Sequence, residues 1–219
     1  MAITKAMRER HTVRRYADKP IPADIVQKLE ERIALDNDTY GTAVKLMVDD
    51  ARAFNAALKL VLAKGVRNYL ILSGDDAPDL EERLGWCSAD IMLYAQELGL
   101  NSWWVGGTFS RGAVSKLVAD KKVIGIVALG YGVTQGKPHK SKSPDQVSEY
   151  RGEAPAWFKE GVEAALLAPT ALNRQAFRIE GEGNRVSIIY EKGAFSGADL
   201  GLVKYHFEAG AGRGNFQWA

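Results

Sequence analysis

The sequence has 219 residues, of which 46% are hydrophobic and 26% charged, as is typical of a globular protein with a sizeable core. The net charge of +2 is too small to favour nucleic acid or an acidic membrane as the main partner, and the single cysteine, Cys87, excludes an internal disulfide. No apolar run has the length of a signal peptide or a membrane span, so we expect a cytoplasmic protein that binds neither nucleic acid nor membrane.

Apolar periodicity and helix-capping residues predict alternating helices and strands up to residue 129. Pro22 stands where a helix begins, and Gly99 stands where the longest helix ends. The predicted helices are 2–10, Pro22 to the turn at 36–38, 51–63 capped by Asp50, 79–98, and Ser110 to 119. The predicted strands are 44–48, 69–72 and 123–129.

The remaining chain begins with a linker-like stretch, 130–153, which is rich in Gly, Lys, Ser and Pro. We expect one domain, with any internal boundary in this stretch. A helix from Pro155 to 167, a strand over 186–190 and a last helix capped by Asp199 are predicted after it. Mixed helices and strands indicate the α+β class, with helices packed on a sheet.

Two arginines alternate with a threonine in the segment Arg10–Arg14. If this segment is extended, Arg10, Thr12 and Arg14 point to one side. Two guanidiniums flanking a hydroxyl suit a phosphate, because arginine pairs bidentately with phosphate oxygens. The alternative is a basic strip in contact with water.

A polar segment follows the helix that begins at Pro155. Pro169 cannot continue that helix, because it lacks a backbone donor. The chain therefore turns into a segment carrying Thr170, Asn173 and Gln175, whose uncharged polar groups can orient the edge of a planar heterocycle. The alternative is a loop whose side chains cap backbone groups.

Glycines follow the double tryptophan Trp103-Trp104 and the strand predicted over 123–129. Gly106 and Gly107 would let backbone N–H groups approach a ligand closely, although a tight turn is the alternative. Gly130-Tyr131-Gly132 lacks the third glycine of a dinucleotide-binding fingerprint. It leads into a loop with Lys140 and Lys142, which could equally be solvated.

Together these segments resemble the FMN-dependent nitroreductase family. The resemblance rests on Arg10-His11-Thr12-Val13-Arg14, on Pro169-Thr170-Ala171-Leu172-Asn173, and on the two glycine-containing stretches with their following lysines. In the family the Pro-Thr segment usually follows the first helix after the arginine motif, so this chain resembles a rearranged branch. The resemblance implies a nitroreductase-like α+β fold with a central, mostly antiparallel sheet flanked by helices.

The resemblance also implies FMN as the cofactor, with the arginines and lysines at its phosphate and the other residues at its ring. The implied FMN-binding residues are Arg10, His11, Thr12, Arg14, Gly106, Gly107, Lys140, Lys142, Pro169, Thr170, Ala171 and Asn173. No catalytic side chain and no metal are implied, because the flavin carries the chemistry. The three histidines have no metal-ligand spacing, and His206 is expected to be a surface or packed residue.

The implied activity is that of an oxidoreductase taking hydride from NAD(P)H and reducing a nitroaromatic, a quinone or a similar acceptor. The resemblance implies a homodimer, and the aromatic Phe216 and Trp218 in a glycine-rich tail add to that expectation. The alternatives are a non-catalytic flavin-binding or redox-sensing protein, a reductive dehalogenase, and a flavin-degrading enzyme. A nucleic-acid-binding module is the most distant alternative, since only the arginine cluster indicates it.

Overall fold

A computed structural model describes residues 5–55 and 63–219 and shows the helices and strands of an α+β protein. The helices are α1 (Lys5–Glu9), α2 (Ala23–Tyr40), α3 (Leu80–Glu97), α4 (Arg111–Ser115), α5 (Pro144–Val147), α6 (Ala156–Ala165) and α7 (Ser196–Ala211). The strands are β1 (Lys45–Met47), β2 (Asn68–Gly74), β3 (Asn101–Val105), β4 (Lys122–Gly130), β5 (Ser148–Arg151), β6 (Phe177–Glu182), β7 (Arg185–Tyr190) and β8 (Gln217–Trp218). A 3₁₀ turn spans Ala171–Asn173. None of the helices in the described ranges is both long and apolar enough to cross a bilayer.

The expected α+β fold with mostly antiparallel strands and flanking helices is confirmed, and its strands form two four-stranded sheets. The first sheet has the order β1-β2-β4-β3 and is antiparallel throughout. The second has the order β5-β6-β7-β8, in which β6 and β7 are antiparallel and both outer pairs are parallel. The 130–153 stretch joins the two sheets, and it contains α5 and β5 where the sequence predicted a linker.

One hydrophobic core touches both sheets and surrounds the contact between α3 and α7. It includes Leu70 of the first sheet and Ile179 of the second, both fully buried. The two helices approach closely at glycines, because a Cβ on Gly85 or Gly201 would collide with the backbone of the other helix. The α3–α7 contact therefore fixes both sheets within one core.

Helix α2 continues past the predicted turn at 36–38 and ends at Tyr40. Gly41, with φ 59°, supplies the left-handed residue that follows the helix, and its amide donates to the carbonyl of Asn37. Asp36 is buried there, and the thiol of Cys87 donates to it at 3.9 Å. Asp36 thus makes tertiary contacts inside the helix, and its turn preference is overridden. Cys87 is buried.

Three other helix predictions were wrong at their ends. Residues 51–55 form a turn, since Asp50 accepts a hydrogen bond from the amide of Arg52 at 2.7 Å, while 56–62 lie outside the described residues. The helix after Ser110 ends at Ser115 instead of 119. The last helix begins at Ser196, so Asp199 lies within its first turn and does not cap it.

The C-terminal aromatic residues pack within their own chain. The ring of Phe216 stacks on Trp157, with 5.9 Å between centroids, and is only 8% exposed. Trp218 meets Phe216 edge-on at 4.8 Å. The tail has a hydrophobic surface to pack on, so these residues no longer support a dimer.

Candidate functional site

The predicted phosphate motif follows α1 and lies along the start of β3. Thr12 pairs with Ser102 in parallel orientation, and the amide of Val13 donates to the carbonyl of Ser102 at 3.1 Å. The side chains of Val13 and Tyr16 are buried in the core of the first sheet. These contacts fix the motif on the first sheet.

Arg10 is a buried cation without an ionic partner. Arg10 is 4% exposed, and its Nε has no hydrogen-bond partner among the described residues. Burial lowers the pKa of Arg10 to about 10, and only the hydroxyl of Tyr16 opposes the shift. The segments 1–4 and 56–62 contain no Asp or Glu that could pair with it. Burying an unpaired charge costs several kcal/mol, so this position favours an anionic ligand.

Arg14 has a different environment from Arg10. It is exposed, and its guanidinium carbon lies 5.3 Å from the ring centroid of Trp103. The expectation that the two arginines occupy equivalent positions on either side of Thr12 therefore does not hold. The geometry makes Arg10 the principal buried cation of the motif and Arg14 a residue at its rim.

The loop after β4 packs on the phosphate motif. Asn101 fixes its start, because its Oδ1 accepts from the Gly132 amide at 2.8 Å and its Nδ2 donates to Gln135 Oε1 at 3.0 Å. Gly136 then passes close to the motif with φ 77°, and a Cβ there would lie 2.7 Å from the Cβ of His11. A side chain at 136 would meet both backbone strain and this collision.

Gln175 connects this loop to the polar segment after α6. Its Oε1 accepts from the amide of Lys142 at 2.8 Å, and its Nε2 donates to the carbonyl of Leu166 at 2.9 Å. The ammonium of Lys142 donates to the carbonyl of Gln175 at 2.8 Å, and Asn173 Nδ2 donates to the carbonyl of Lys140 at 2.7 Å. The structure therefore brings Lys140 and Lys142 together with the segment from Pro169 to Asn173.

The segment from Pro169 to Asn173 has a strained backbone. Leu172, Asn173 and Gln175 have φ values of 53°, 53° and 46°, in a region that non-glycine residues rarely occupy. The Thr170 hydroxyl stabilises the bend by accepting from the Gln175 amide at 3.1 Å. Such strain is concentrated at functional sites, where surrounding contacts maintain it.

Asp199 of α7 supplies one of those surrounding contacts. Both of its carboxylate oxygens lie 3.0 Å from the amide of Ala171, and the hydroxyl of Tyr190 donates to it at 2.7 Å. Burial raises the pKa of Asp199 to about 6, although both hydrogen bonds oppose the shift. Asp199 therefore positions Ala171 and the residues that follow it.

Gly106 and Gly107 lie at the far end of β3 from the phosphate motif. Ser102, which pairs with Thr12, is four residues from Gly106, about 13 Å along an extended strand. The ring of Phe195 lies directly against Gly106, and Arg111 donates to the Gly106 carbonyl at 3.1 Å. Phe195 precedes α7 and has φ 68°, which is unusual for an aromatic residue.

Three residues in or near these segments were not among the implied FMN-binding residues. Gln175 was expected, with Thr170 and Asn173, to orient a heterocycle, but the glycine-rich 130–142 loop gave no sign of the hydrogen bonds that Gln175 makes with it. Phe195 carries no sequence signal, since its φ value is a property of the fold. His206 is 1% exposed with Nε2 unpartnered among the described residues, although the helical pattern predicted only a surface or packed residue.

A scan against protein families matches residues 2–211 to the family described as "Putative TM nitroreductase". A search among curated proteins finds no match. Among solved structures, a putative nitroreductase from Thermotoga maritima is 21% identical with a TM-score of 0.65, and the alignment covers 94% of this chain and 82% of that one.

Two further similar structures are described as complexes with FMN. A putative nitroreductase in complex with FMN from Exiguobacterium sibiricum is 12% identical with a TM-score of 0.56, covering 69% of this chain and 98% of that one. A second putative nitroreductase in complex with FMN, from Desulfovibrio desulfuricans, is 15% identical with a TM-score of 0.50, covering 65% and 93%. At these identities the similarity is one of fold.

Proposed function

Because the chain belongs to this nitroreductase family, we propose that it is an FMN-dependent oxidoreductase that takes hydride from NAD(P)H and reduces a nitroaromatic, a quinone or a similar acceptor. Arg10 is the observation that carries this proposal, since it is a buried cation with an unpartnered Nε. A phosphate would supply the missing negative charge, and arginine is well suited to bind it bidentately.

The remaining residues fit an elongated ligand with an anionic end. His11 and Thr12 follow Arg10, and the loop that carries Lys140 packs on them at Gly136, whereas Gly106 and Gly107 lie about 13 Å from Ser102 along β3. FMN has its phosphate and its ring at opposite ends of a ribityl chain. The phosphate would bind at Arg10, and the ring would lie towards Gly106 and the segment from Pro169 to Asn173.

When bound, the flavin supplies the chemistry of hydride transfer, and the protein binds and orients it. Arg10 holds the phosphate end. Arg111 fixes the carbonyl of Gly106, and with it the glycine backbone that faces the ring. Asp199 holds the amide of Ala171, and Asn173 ties this segment to the loop of Lys140.

The test begins with titration of the purified, flavin-free protein with FMN and with riboflavin. We expect about one FMN per chain, bound at least tenfold more tightly than riboflavin, because charge-assisted contacts contribute about 1.5–3 kcal/mol. Equal affinity for the two flavins would refute the phosphate assignment. The FMN-loaded protein should then be mixed anaerobically with NADH or NADPH, and bleaching of the flavin followed by reoxidation with a quinone is expected. FMN that binds but is reduced by neither nucleotide would instead indicate a flavin-binding or sensing protein.

A homodimer is part of the proposal and remains a prediction. The feature that favours a partner is Leu172, which is 95% exposed on the strained turn beside the candidate site. Light scattering of the FMN-loaded protein should give twice the chain mass of 24.0 kDa. A mass of one chain with FMN bound would show that a single subunit completes the site.

A further inference from the structure

His206 lies inside α7 with one ring nitrogen bonded and the other unpartnered. Its Nδ1 is 2.8 Å from the carbonyl of Leu202, and a carbonyl can only accept, so Nδ1 carries the hydrogen. A neutral imidazole then has a bare lone pair at Nε2. This atom is buried and has no hydrogen-bond partner among the described residues.

His206 and Arg10 lie close enough for the charge of Arg10 to act on the imidazole. Ala6 and Met7 of α1 lie in one hydrophobic cluster with Tyr205, the residue before His206. The amide of Arg10 donates to the carbonyl of Ala6 at 2.9 Å, so Arg10 ends the same helix. Burial, to which the charge of Arg10 adds, lowers the pKa of His206 to about 4, so His206 is neutral at pH 7.

Ser102, on the strand to which the motif is fixed, carries a further unpartnered polar atom. Ser102 is 1% exposed, its Oγ has no hydrogen-bond partner within the described part of the chain, and its backbone pairs with Thr12, two residues after Arg10. Arg10 Nε–H is a donor, His206 Nε2 is an acceptor, and a serine hydroxyl can be either. Buried polar atoms are normally hydrogen-bonded, so the unsatisfied donor of Arg10 and the unsatisfied acceptor of His206 indicate a ligand that bonds to both.

We infer that His206 and Arg10 bind the phosphate together, with one proton taken up from solvent and shared between His206 Nε2 and a phosphate oxygen. This inference rests on the proposed function and deepens it. Without that proton, the lone pair of Nε2 would face the lone pairs of a phosphate dianion, which is repulsive. Burial is the main obstacle to protonation of His206, and the charge of Arg10 adds to it. The ligand supplies about −1.5 to −2 charges at pH 7, which act in the opposite direction and favour the protonated imidazole.

No other charged group explains the state of His206. Arg10 is the one charged side chain that contributes to its pKa. From α3, Asp90 is held by Arg32 at 2.6 Å and by the hydroxyl of Tyr205 at 2.6 Å, and Glu82 is held by Lys204 at 2.6 Å. The charged residues that α1 and α6 carry are exposed: Lys5, Arg8, Glu9, Lys159, Glu160 and Glu163. On the motif itself, His11 is the one other group that could take up the proton.

The experiment is calorimetric titration of FMN at pH 8 in two buffers with different ionisation enthalpies, which counts the protons taken up. For wild type we expect close to one proton per FMN, and an FMN dissociation constant that rises about tenfold per pH unit above pH 7. Riboflavin, which lacks the phosphate, should bind with no proton uptake. His206→Phe keeps a ring of similar shape and should bind FMN with an uptake near zero and a weaker, pH-independent affinity.

Wild type alone can refute the inference, so a variant that fails to fold leaves it testable. FMN binding without proton uptake overturns it and leaves the proposed function intact, whereas absence of FMN binding overturns both. Uptake that persists in a folded His206→Phe and is lost in His11→Asn would place the proton on His11 and also overturn it. If His206→Phe weakens the binding of FMN and of riboflavin equally, Nε2 accepts from the ribityl chain and the assignment of His206 to the phosphate is wrong.

Discussion

Replacing Arg10 by methionine should stabilise the protein and weaken FMN binding at the same time. Burial lowers the pKa of Arg10 from 12.5 to about 10, and a shift of this size corresponds to at most about 3 kcal/mol of charge-burial cost. Methionine retains an unbranched apolar stem without the charge. We therefore expect the free energy of unfolding without FMN to rise by about 1–3 kcal/mol.

The stabilisation expected from Arg10→Met has a defined pH dependence. Because the pKa of Arg10 is lower in the folded state, its penalty is fully present below about pH 10 and disappears only as the pH rises towards 12.5. The gain from Arg10→Met should therefore be constant between pH 5 and 9. FMN affinity should fall about ten- to a hundredfold, the value of a charge-assisted hydrogen bond.

Urea unfolding followed by fluorescence and FMN titration, on the same preparations, measure the two effects. Arg15→Met is the matched control, because Arg15 is exposed, and its stability should stay within about 0.5 kcal/mol of wild type with FMN affinity unchanged. A variant Arg10→Met that is less stable than wild type without FMN would mean that Arg10 has a structural partner. Unchanged FMN affinity would remove Arg10 from the site.

Three further substitutions test other parts of the structure. Burial raises the pKa of Asp36 to about 7 and Asp90 adds to the shift, so the free energy of unfolding should fall as pH rises from about 4 to 7. Asp36→Asn should reduce that loss, and urea unfolding at pH 8 should give a free energy of unfolding about 1–2 kcal/mol higher than for wild type. Gln175→Leu should lower the free energy of unfolding by about 2–3 kcal/mol, because the hydrogen bonds of Gln175 to the Lys142 amide and the Leu166 carbonyl are lost. A decrease below about 0.5 kcal/mol would contradict the role of Gln175 in joining the two segments. Gly136→Ala should lower the free energy of unfolding by more than about 1 kcal/mol and weaken FMN binding, because Gly136 has a φ of 77° and a Cβ there would collide with His11. Thermal unfolding and FMN titration measure the two effects.

Local patterns were sufficient for the elements with a simple period. The helix predicted over 79–98 and the strand over 123–129 are present as Leu80–Glu97 and Lys122–Gly130, because each buries a regular apolar face. The turn at 36–38 was predicted from side-chain preference, yet Asp36 points into a buried group of polar side chains from other helices. Contacts that are distant in sequence override local preference there.

The candidate site was only partly accessible from the sequence. Arg10 and Asn173 could be found because they belong to short motifs with a chemical reason. The burial of Arg10, the exposure of Arg14 and the bare Nε2 of His206 depend on tertiary packing, such as the cluster that joins α1 to α3 and Tyr205 of α7, which no short window contains. The two-sheet arrangement was also missed, since strand pairing across the 130–153 stretch is a long-range property.

The fold explains why the Pro169 segment can act at the candidate site although it lies far downstream of the arginine motif. The motif is fixed to β3 of the first sheet, and the segment leads into β6 of the second. Helix α7 bridges them, because His206 is near enough to Arg10 for that charge to lower its pKa, while Asp199 holds Ala171 and the preceding Phe195 covers Gly106. From Phe195 to His206 a helix advances about 16 Å, close to the 13 Å or so between Ser102 and Gly106 along β3. Helix α7 and strand β3 thus run along the same elongated region. The length of that region, and with it the size of the ligand that we propose, depends on α7 as much as on the arginine motif.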